Sequence, residues 1–404
     1  MKSEAPWTAS ATAPTAYDAT VAARPAQRER LVALDVFRGL TIAGMLLVNN
    51  PGTWGAIYPP LRHAAWHGWT PTDLIFPFFL FIVGITTHLS LDARRARGDD
   101  EGMLVRQVLR RGGIIILLGL FLSGFPFIPA LGFDPSTMRI PGVLQRIGVA
   151  YIAAGLLTLR TSARTQLIVV TALLLGYWAV MTLIPVPGTG AVGAVALATP
   201  DASLAAWVDR TVLGNHLWRV SKTWDPEGIL STLPAIGTAM LGVFAGRWIA
   251  APRPLMERLA ALFAVGAIGM VAGLIWNWWF PINKNLWTSS YVLFTAGMAS
   301  VTIATCVWLI DVKRITGWAK PFVVFGMNPI LAFVGSGMMA RLMGSIIKVE
   351  RDGQSVSLQR AIYESAFASW LSPMNASLLF AVCFVLLWFA VLGLLYEKKV
   401  FLKV

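Results

Sequence analysis

The sequence predicts an all-α membrane protein, a polytopic helical bundle of about ten transmembrane helices with both termini in the cytoplasm. Three observations carry that expectation. Hydrophobic residues fill 56% of the 404 positions and charged residues only 13%, about half the charged share of a soluble chain. The apolar residues gather in charge-free runs such as Ile114–Leu122, Leu167–Ile184 and Leu378–Leu395. The last two are long enough for a hydrocarbon core, which takes about 17–25 residues of helix. Basic residues fall in short clusters between the runs rather than in one stripe, so the net charge of +13 points to membrane topology and not to nucleic acid.

The elements follow in order. Residues 1–30 are rich in Ala, Thr and Pro without an apolar run. They lack the hydrophobic stretch of a signal peptide and are expected to form a disordered cytoplasmic tail. Residues 31–404 form the membrane domain. Its spans are expected near Leu31–Val48, Thr72–Leu91, Val108–Phe125, Pro141–Leu159, Gln166–Ile184, Ile229–Ile249, Leu259–Trp276, Trp287–Ile310, Pro321–Met339 and Pro373–Tyr396. With the N-terminus inside, most of the 33 Lys and Arg residues fall on the cytoplasmic side. These include Arg94, Arg95, Arg97, Arg106, Arg110 and Arg111, then Arg247, Arg253 and Arg258, then Lys313, Arg314 and Lys320, and finally Lys398, Lys399 and Lys403. The positive-inside rule therefore makes the span count even. Two long outer loops, Pro185–Gly228 and Ala340–Ser372, each contain an amphipathic stretch, Ser203–Leu213 and Leu358–Trp370. Such a stretch either anchors at the interface or covers a site. Cys306 and Cys383 lie in apolar runs and are expected in the core, with no disulfide or metal spacing. There is no fixed-period repeat.

Polar residues in or beside a membrane are costly, so each one poses a question. Asp35 and Arg38 share a face of the first span. They either neutralise each other or position a phosphate-rich ligand, for which a guanidinium is well suited. Asn49 and Asn50 end that span. An aromatic loop follows with His63-Ala-Ala-Trp-His-Gly-Trp69, and then Pro71-Thr-Asp-Leu-Ile-Phe-Pro77. His63 or His67 could act as a general base oriented by Asp73. Their spacing of four also suits a helical metal site, but no glutamate lies between them and no third ligand is evident, so no metal is expected. Further polar clusters are Arg139-Ile-Pro-Gly-Val-Leu-Gln-Arg146, Trp224-Asp-Pro-Glu-Gly228, Pro281-Ile-Asn-Lys-Asn-Leu-Trp287 and Gly326-Met-Asn-Pro329. In the last, within the ninth span, proline should break the helix. The clusters opening spans four, six and eight belong at outer ends, as do Asn49, His63 and Asp73.

These segments, with Leu34-Asp-Val-Phe-Arg-Gly39, occur in one order from about residue 30 to the C-terminus. Together they resemble the heparan-α-glucosaminide N-acetyltransferase family and its bacterial relatives. The resemblance implies a transmembrane acetyltransferase that takes acetyl-CoA from the cytoplasm and acetylates an amino sugar on the far side. It implies that His63 is the active-site histidine and Asn49 the catalytic-site asparagine, with Asp73 beside them. Arg38, Arg146 and Asn328 are assigned to acetyl-CoA, and Trp66, Glu227, Asn283 and Lys284 to the sugar. The chain is expected to lack the large N-terminal lumenal domain of the animal enzyme, in keeping with an even span count, and its outer loops are its own. The expected acceptor is therefore glucosamine or a short glucosamine-ended sugar, met on the outer side of a bacterial inner membrane. A homodimer in the lipid bilayer is expected. The competing expectation is an amino-sugar transporter.

Overall fold

Apolar helices in lipid gain little from leaving water, so close packing of small residues must hold them together. That principle organises this bundle. The computed structural model describes residues 31–351 and 353–402. The tail expected over residues 1–30, and Lys403, lie outside them. The long helices are α1 (Val32–Asn49), α2 (Ile75–Arg95), α3 (Glu101–Gly124), α4 (Val143–Arg160), α5 (Ala163–Leu183) and, after the shorter α6 (Leu204–Leu213), α7 (Ile229–Ile249), α8 (Leu255–Trp276) and α9 (Ser289–Val307). A π turn, Trp308–Val312, prolongs α9. Then come α10 (Ala319–Met327), α11 (Pro329–Arg341), prolonged by a second π turn to Ile346, the hairpin β1 (Lys348–Arg351) and β2 (Gln354–Ser357), α12 (Leu358–Ala366) and α13 (Pro373–Glu397).

Nine helices among the described residues are long and apolar enough to cross a membrane. They match nine of the ten expected spans. The third expected span corresponds to α3, which has Arg106, Arg110 and Arg111 in its first half and is not one of the nine. It nonetheless lies along α4, with Gly112 facing Ile152 and Gly148, and Gly119 facing Gln145. The protein is thus an all-α polytopic membrane protein.

Glycines mark where helices touch backbone to backbone. A Cβ on Gly84 would sit 1.9 Å from the Ala239 carbonyl oxygen, and one on Gly242 2.1 Å from that of Phe81. The α2–α7 pair is therefore as close as two backbones allow. The largest core cluster surrounds this pair and draws in α4 and α9 through Leu80, Ile147, Ala239, Trp287 and Tyr291.

The ninth expected span is broken as its proline required, but in a different place. Helix α10 ends at Met327, Asn328 takes φ −128° and ψ 54°, and α11 starts at Pro329. The break is not at mid-span. Gly326 and Phe322 pack against the backbone of Asp35 and Gly39 at the start of α1. The Asn328 amide donates to the Val400 carbonyl at 3.0 Å and accepts from the Leu402 N–H at 2.8 Å, just past α13. The start of α1 and the end of α13 therefore meet at one end of the bundle. Of the cysteines, Cys306 is in the core as expected, but Cys383 is exposed on α13, because an apolar run in a membrane helix has a lipid face as well as a packed one.

The opposite end carries the long connections. Ser203 caps α6 through the Ala206 N–H at 3.1 Å. The helix buries Leu204, Ala205, Ala206 and Asp209 against the start of α7. Helix α12 folds over the end of α1, with Gln359 donating to the Pro51 carbonyl at 3.0 Å and Tyr363 against Gly52.

Candidate active site

At that opposite end, a cavity of about 260 Å³ opens among α1, the start of α2, α4, α11 and the connecting loops. Each polar side chain on it is placed by a local rule. Asn49 is the last residue of α1 and is exposed at the cavity wall. Its neighbour Asn50 is turned back instead, donating to the Leu46 carbonyl at 2.8 Å. His63 stands at the end of the aromatic loop, and Thr72 and Ile75 follow from the turn that opens α2.

Behind His63 is Asp73, with a side chain only 1% exposed. One of its carboxylate oxygens accepts from the Ala64 N–H at 2.9 Å and the Thr70 N–H at 3.0 Å, while the Thr70 hydroxyl donates to the Arg62 carbonyl. The other oxygen faces His63 Nδ1 at 2.7 Å. An ionised carboxylate can only accept, so Nδ1 carries a proton toward it, and in the neutral ring Nε2 is then the nitrogen with the free lone pair. Tyr291 adds a bond to the Asp73 main-chain carbonyl at 2.5 Å. The arrangement is the orienting half of an acid–base pair: a buried acid fixing the tautomer of a half-exposed imidazole.

Lys284 Nζ lies 3.0 and 3.3 Å from the two ring nitrogens of His63 and 3.7 Å from Asp73 Oδ1. Being nearly equidistant from both nitrogens, the ammonium rests against the ring rather than on one lone pair. Burial lowers the Lys284 pKa, although Asp73 and Glu227 partly restore it. The turn that presents Lys284 is built by Asn283. Its carbonyl oxygen accepts from the Leu286 N–H at 2.9 Å, and its main-chain N–H reaches the Thr288 hydroxyl at 3.1 Å.

Across the cavity, Arg139 grips Asp225 through two bonds, Nε at 2.8 Å and Nη2 at 2.5 Å, and reaches Glu227 at 2.5 Å. Burial works against the charge of Arg139, but the two carboxylates outweigh it and hold its pKa above the ordinary value. Burial likewise opposes ionisation of Glu227, but Arg139 and Arg146 keep its pKa below the usual carboxylate range. Below this pair, burial raises the Asp209 pKa to about 6. Asp209 accepts from the Ile229 N–H at 2.9 Å, at the start of α7.

The cavity gathers four of the residues expected from sequence: Asn49, His63, Glu227 and Lys284. Asp73 stands directly behind His63. Trp66, Asn283 and Arg146 are not on the cavity wall. Trp66 donates to the Leu197 carbonyl at 2.8 Å and packs on Trp224. Arg146, 2% exposed, lies over the Trp287 ring and bonds Ser231 and the Gly228 carbonyl. His67 is held away by Asn283 at 3.4 Å, and partial burial lowers its pKa. Asn328 is at the other end of the bundle. Arg139, Trp218 and Asn285 also line the cavity. Arg139 was visible in the sequence only as part of a motif, because its partners are some 86 positions away. No group of three or more His, Cys, Asp or Glu among the described residues is placed to hold a metal ion.

Toward the end of the bundle where α1 starts and α13 finishes lies a second cavity of about 200 Å³, lined by Arg38, Arg111, Thr86, Thr87, Ser90 and Tyr151 among others. Arg38 is paired with Asp35 at 2.7 Å. The two cavities share Phe79, Ile147 and Phe333, so these three apolar side chains form a common wall between them.

A family profile described as heparan-alpha-glucosaminide N-acetyltransferase, catalytic, matches residues 30–277. Two curated relatives are called heparan-alpha-glucosaminide N-acetyltransferase. The one from Homo sapiens is 29% identical over 428 aligned positions, covering 93% of this chain and 60% of its own length. The one from Mus musculus is 32% identical over 360 positions, covering 77% of this chain and 54% of its own length. The chain thus spans about three-fifths or less of these relatives.

Proposed function

We propose, on the premise that this chain belongs to the heparan-alpha-glucosaminide N-acetyltransferase family, that it moves an acetyl group from acetyl-CoA to the amine of glucosamine or a glucosamine-ended sugar across a bacterial inner membrane. The observation that carries this reading is the His63–Asp73 pair at 2.7 Å on a cavity that abuts, at an apolar wall, a second cavity bearing Arg38 and Arg111. The bundle end where α1 starts and α13 finishes faces the cytoplasm in this reading, where the basic clusters belong. Acetyl-CoA approaches there, its phosphates met by Arg38 and Arg111. Its thin pantetheine arm passes Phe79, Ile147 and Phe333 and brings the thioester toward His63.

The acceptor amine arrives from the other end as an ammonium and must first lose a proton to solvent. It then attacks the thioester carbonyl. Neutral His63 takes the second proton at Nε2 while Asp73 holds the ring and supports the imidazolium. Asn49, exposed at the cavity wall, donates to the oxyanion. The C–N bond forms, the C–S bond breaks, and the leaving thiolate takes the proton back from His63. Glu227 and Lys284 hold the sugar's polar groups.

The competing transporter reading rests on the helix break in the ninth span and on the long outer loops. That break lies at the end where Asn328 ties down Val400 and Leu402, away from the His63 cavity. The deciding experiment incubates purified protein with acetyl-CoA and a panel of amino sugars, then reads free thiol and acetylated sugar. Product that depends on acetyl-CoA and is abolished by His63→Ala supports the enzyme. Near-wild-type turnover in that variant, or sugar flux in CoA-free proteoliposomes without acetylation, refutes it.

A further inference from the structure

Lys284 is the one primary amine among the described residues that line the reaction cavity. Its Nζ lies 3.3 Å from Nε2 of His63, the nitrogen that takes the acceptor's proton in the reaction above. A base acts on a proton within about 3.2 Å, and such contacts are commonly a little longer before the reactants close up. The side chain is 18% exposed, so the amine is sheltered yet open to the cavity. The turn built by Asn283 holds the residue there. Burial lowers the Lys284 pKa against the pull of Asp73 and Glu227, which makes a neutral amine easier to reach than on an exposed lysine. A buried primary amine beside a base, in a cavity that receives a thioester, has the chemistry of the acceptor itself. Lys222, on the loop before α7, offers a contrast: it is exposed and stands off the cavity wall.

We propose that Lys284 is a self-acetylation site: with acetyl-CoA bound and no acceptor sugar present, the Lys284 amine takes the acetyl group. This proposal rests on the acetyl-transfer reading above. The lysine ammonium first loses a proton to solvent. Nζ then attacks the thioester carbonyl, and His63 takes the second proton at Nε2. The C–N bond forms, the C–S bond breaks, and the CoA thiolate takes that proton back from His63. The products are an acetyl-lysine amide and CoA thiol, with His63 returned to its starting state. An amide is a far poorer acyl donor than a thioester, so the acetyl group stays on Lys284. Acetylation removes the charge that faces Asp73 Oδ1 at 3.7 Å and leaves a bulkier neutral group in the cavity. The sugar then loses one of its proposed holds and part of its room. The donor thereby shuts down an enzyme that has no acceptor, and a bound sugar protects it by occupying the place beside His63.

The test incubates the full chain, purified in detergent, with acetyl-CoA and no sugar, then maps acetyl-lysine by peptide mass spectrometry. Lys284 should approach one acetyl group per chain, with the exposed Lys222 as the internal reference for uncatalysed acetylation. In His63→Ala the ratio of Lys284 to Lys222 modification should fall about 10²-fold or more, the worth of a positioned base. Saturating glucosamine should protect Lys284 in the unmodified sequence and leave Lys222 unaffected, a comparison that needs no variant and so no assumption about folding. Preincubation with acetyl-CoA should also cause a loss of sugar acetylation that dilution does not reverse and that keeps step with the modification of Lys284. Lys284→Arg starts from a lower rate but should show no such progressive loss. Protein that acetylates sugar while Lys284 stays unmodified overturns the proposal and leaves the transferase reading standing. Modification of Lys284 no faster than that of Lys222, or equally fast in His63→Ala, overturns it too. Absence of thiol release both with and without sugar removes the transferase reading along with the self-acetylation, and so is distinct from the failure of the self-acetylation alone.

Discussion

Replacing Asp73 by asparagine tests the proposed chemistry most directly, because the substitution preserves shape and inverts one donor. The carboxylate accepts two bonds on one oxygen, from the Ala64 and Thr70 N–H groups, and one from His63 on the other. An asparagine must keep its carbonyl oxygen toward Ala64 and Thr70, since an amide NH2 there would face their N–H groups. Its NH2 then points at His63 Nδ1, which must accept, and the ring proton moves to Nε2. The base is lost although the ring remains in place. Positioned general-base catalysis is worth about 10²–10⁴ in rate, and a wrong-tautomer imidazole forfeits about that much. Asp73→Asn should therefore lower kcat by about 10²–10⁴ with little change in KM. The cost in stability should be about 1–3 kcal/mol, the value of one buried charge-assisted bond. Acetyl-CoA-dependent thiol release measures the first, and thermal unfolding in detergent the second. His63→Ala should fall to a similar level, and the double variant no further, since the two residues act as a unit. A folded Asp73→Asn protein retaining more than about a tenth of wild-type kcat would show that tautomer control by Asp73 is not what makes His63 active.

Other perturbations probe the scaffold. Arg139→Met leaves Asp225 and Glu227 buried without their cation and should cost about 3–5 kcal/mol, seen as a large fall in Tm that Glu227→Gln in the same chain partly restores; an unchanged Tm would contradict the buried network. The folded pKa of Asp209, about 6, stands above the ordinary aspartate value of 3.8, so the folded state binds the proton more tightly. Its contribution is full below about pH 4, is lost as pH rises through about 6, and amounts to about 3 kcal/mol at most. Asp209→Asn should flatten that part of the Tm–pH curve, and a curve of unchanged slope would argue against it. A Cβ on Gly39 would lie 1.7 Å from the Phe322 carbonyl oxygen, whereas Gly393 has open space around it. Gly39→Ala should lower Tm by far more than Gly393→Ala, and equal effects would mean that α1 and α10 do not touch there.

The apolar spans were legible because a membrane imposes one rule on every crossing, and nine of the ten coincide with long apolar helices. The break at Asn328–Pro329 was equally legible, since proline removes a helical donor wherever it stands. Its position in depth was not, because that depends on Gly326 and Phe322 meeting α1 and on Asn328 binding the chain end. The His63–Asp73 pair was within reach because ten positions separate the two residues and a short loop joins them. The clamp of Arg139 on Asp225 and Glu227 joins residues 86 and 88 positions apart, and no spacing rule spans that distance. Arg146 and Asn283 carried the same motif signal as Lys284, but one is stacked on Trp287 and the other builds a turn. A motif marks a neighbourhood in the fold without saying which of its members face the cavity.

The apolar wall of Phe79, Ile147 and Phe333 between the two cavities has an electrical consequence. Apolar side chains offer no chain of hydrogen bonds along which a proton could pass from one cavity to the other. In the proposed reaction acetyl-CoA enters and CoA thiol leaves by the same side, and the two carry the same charge. On the other side an ammonium is replaced by a neutral amide and a free proton, so the charge there is also unchanged. Formally, an acetyl group crosses in one direction and a hydrogen in the other. Moving a single uncompensated charge through the bilayer would cost or yield about 2.3 kcal/mol per 100 mV. This exchange moves none, so at fixed pH on both sides turnover is expected to run at the same rate with or without a membrane potential.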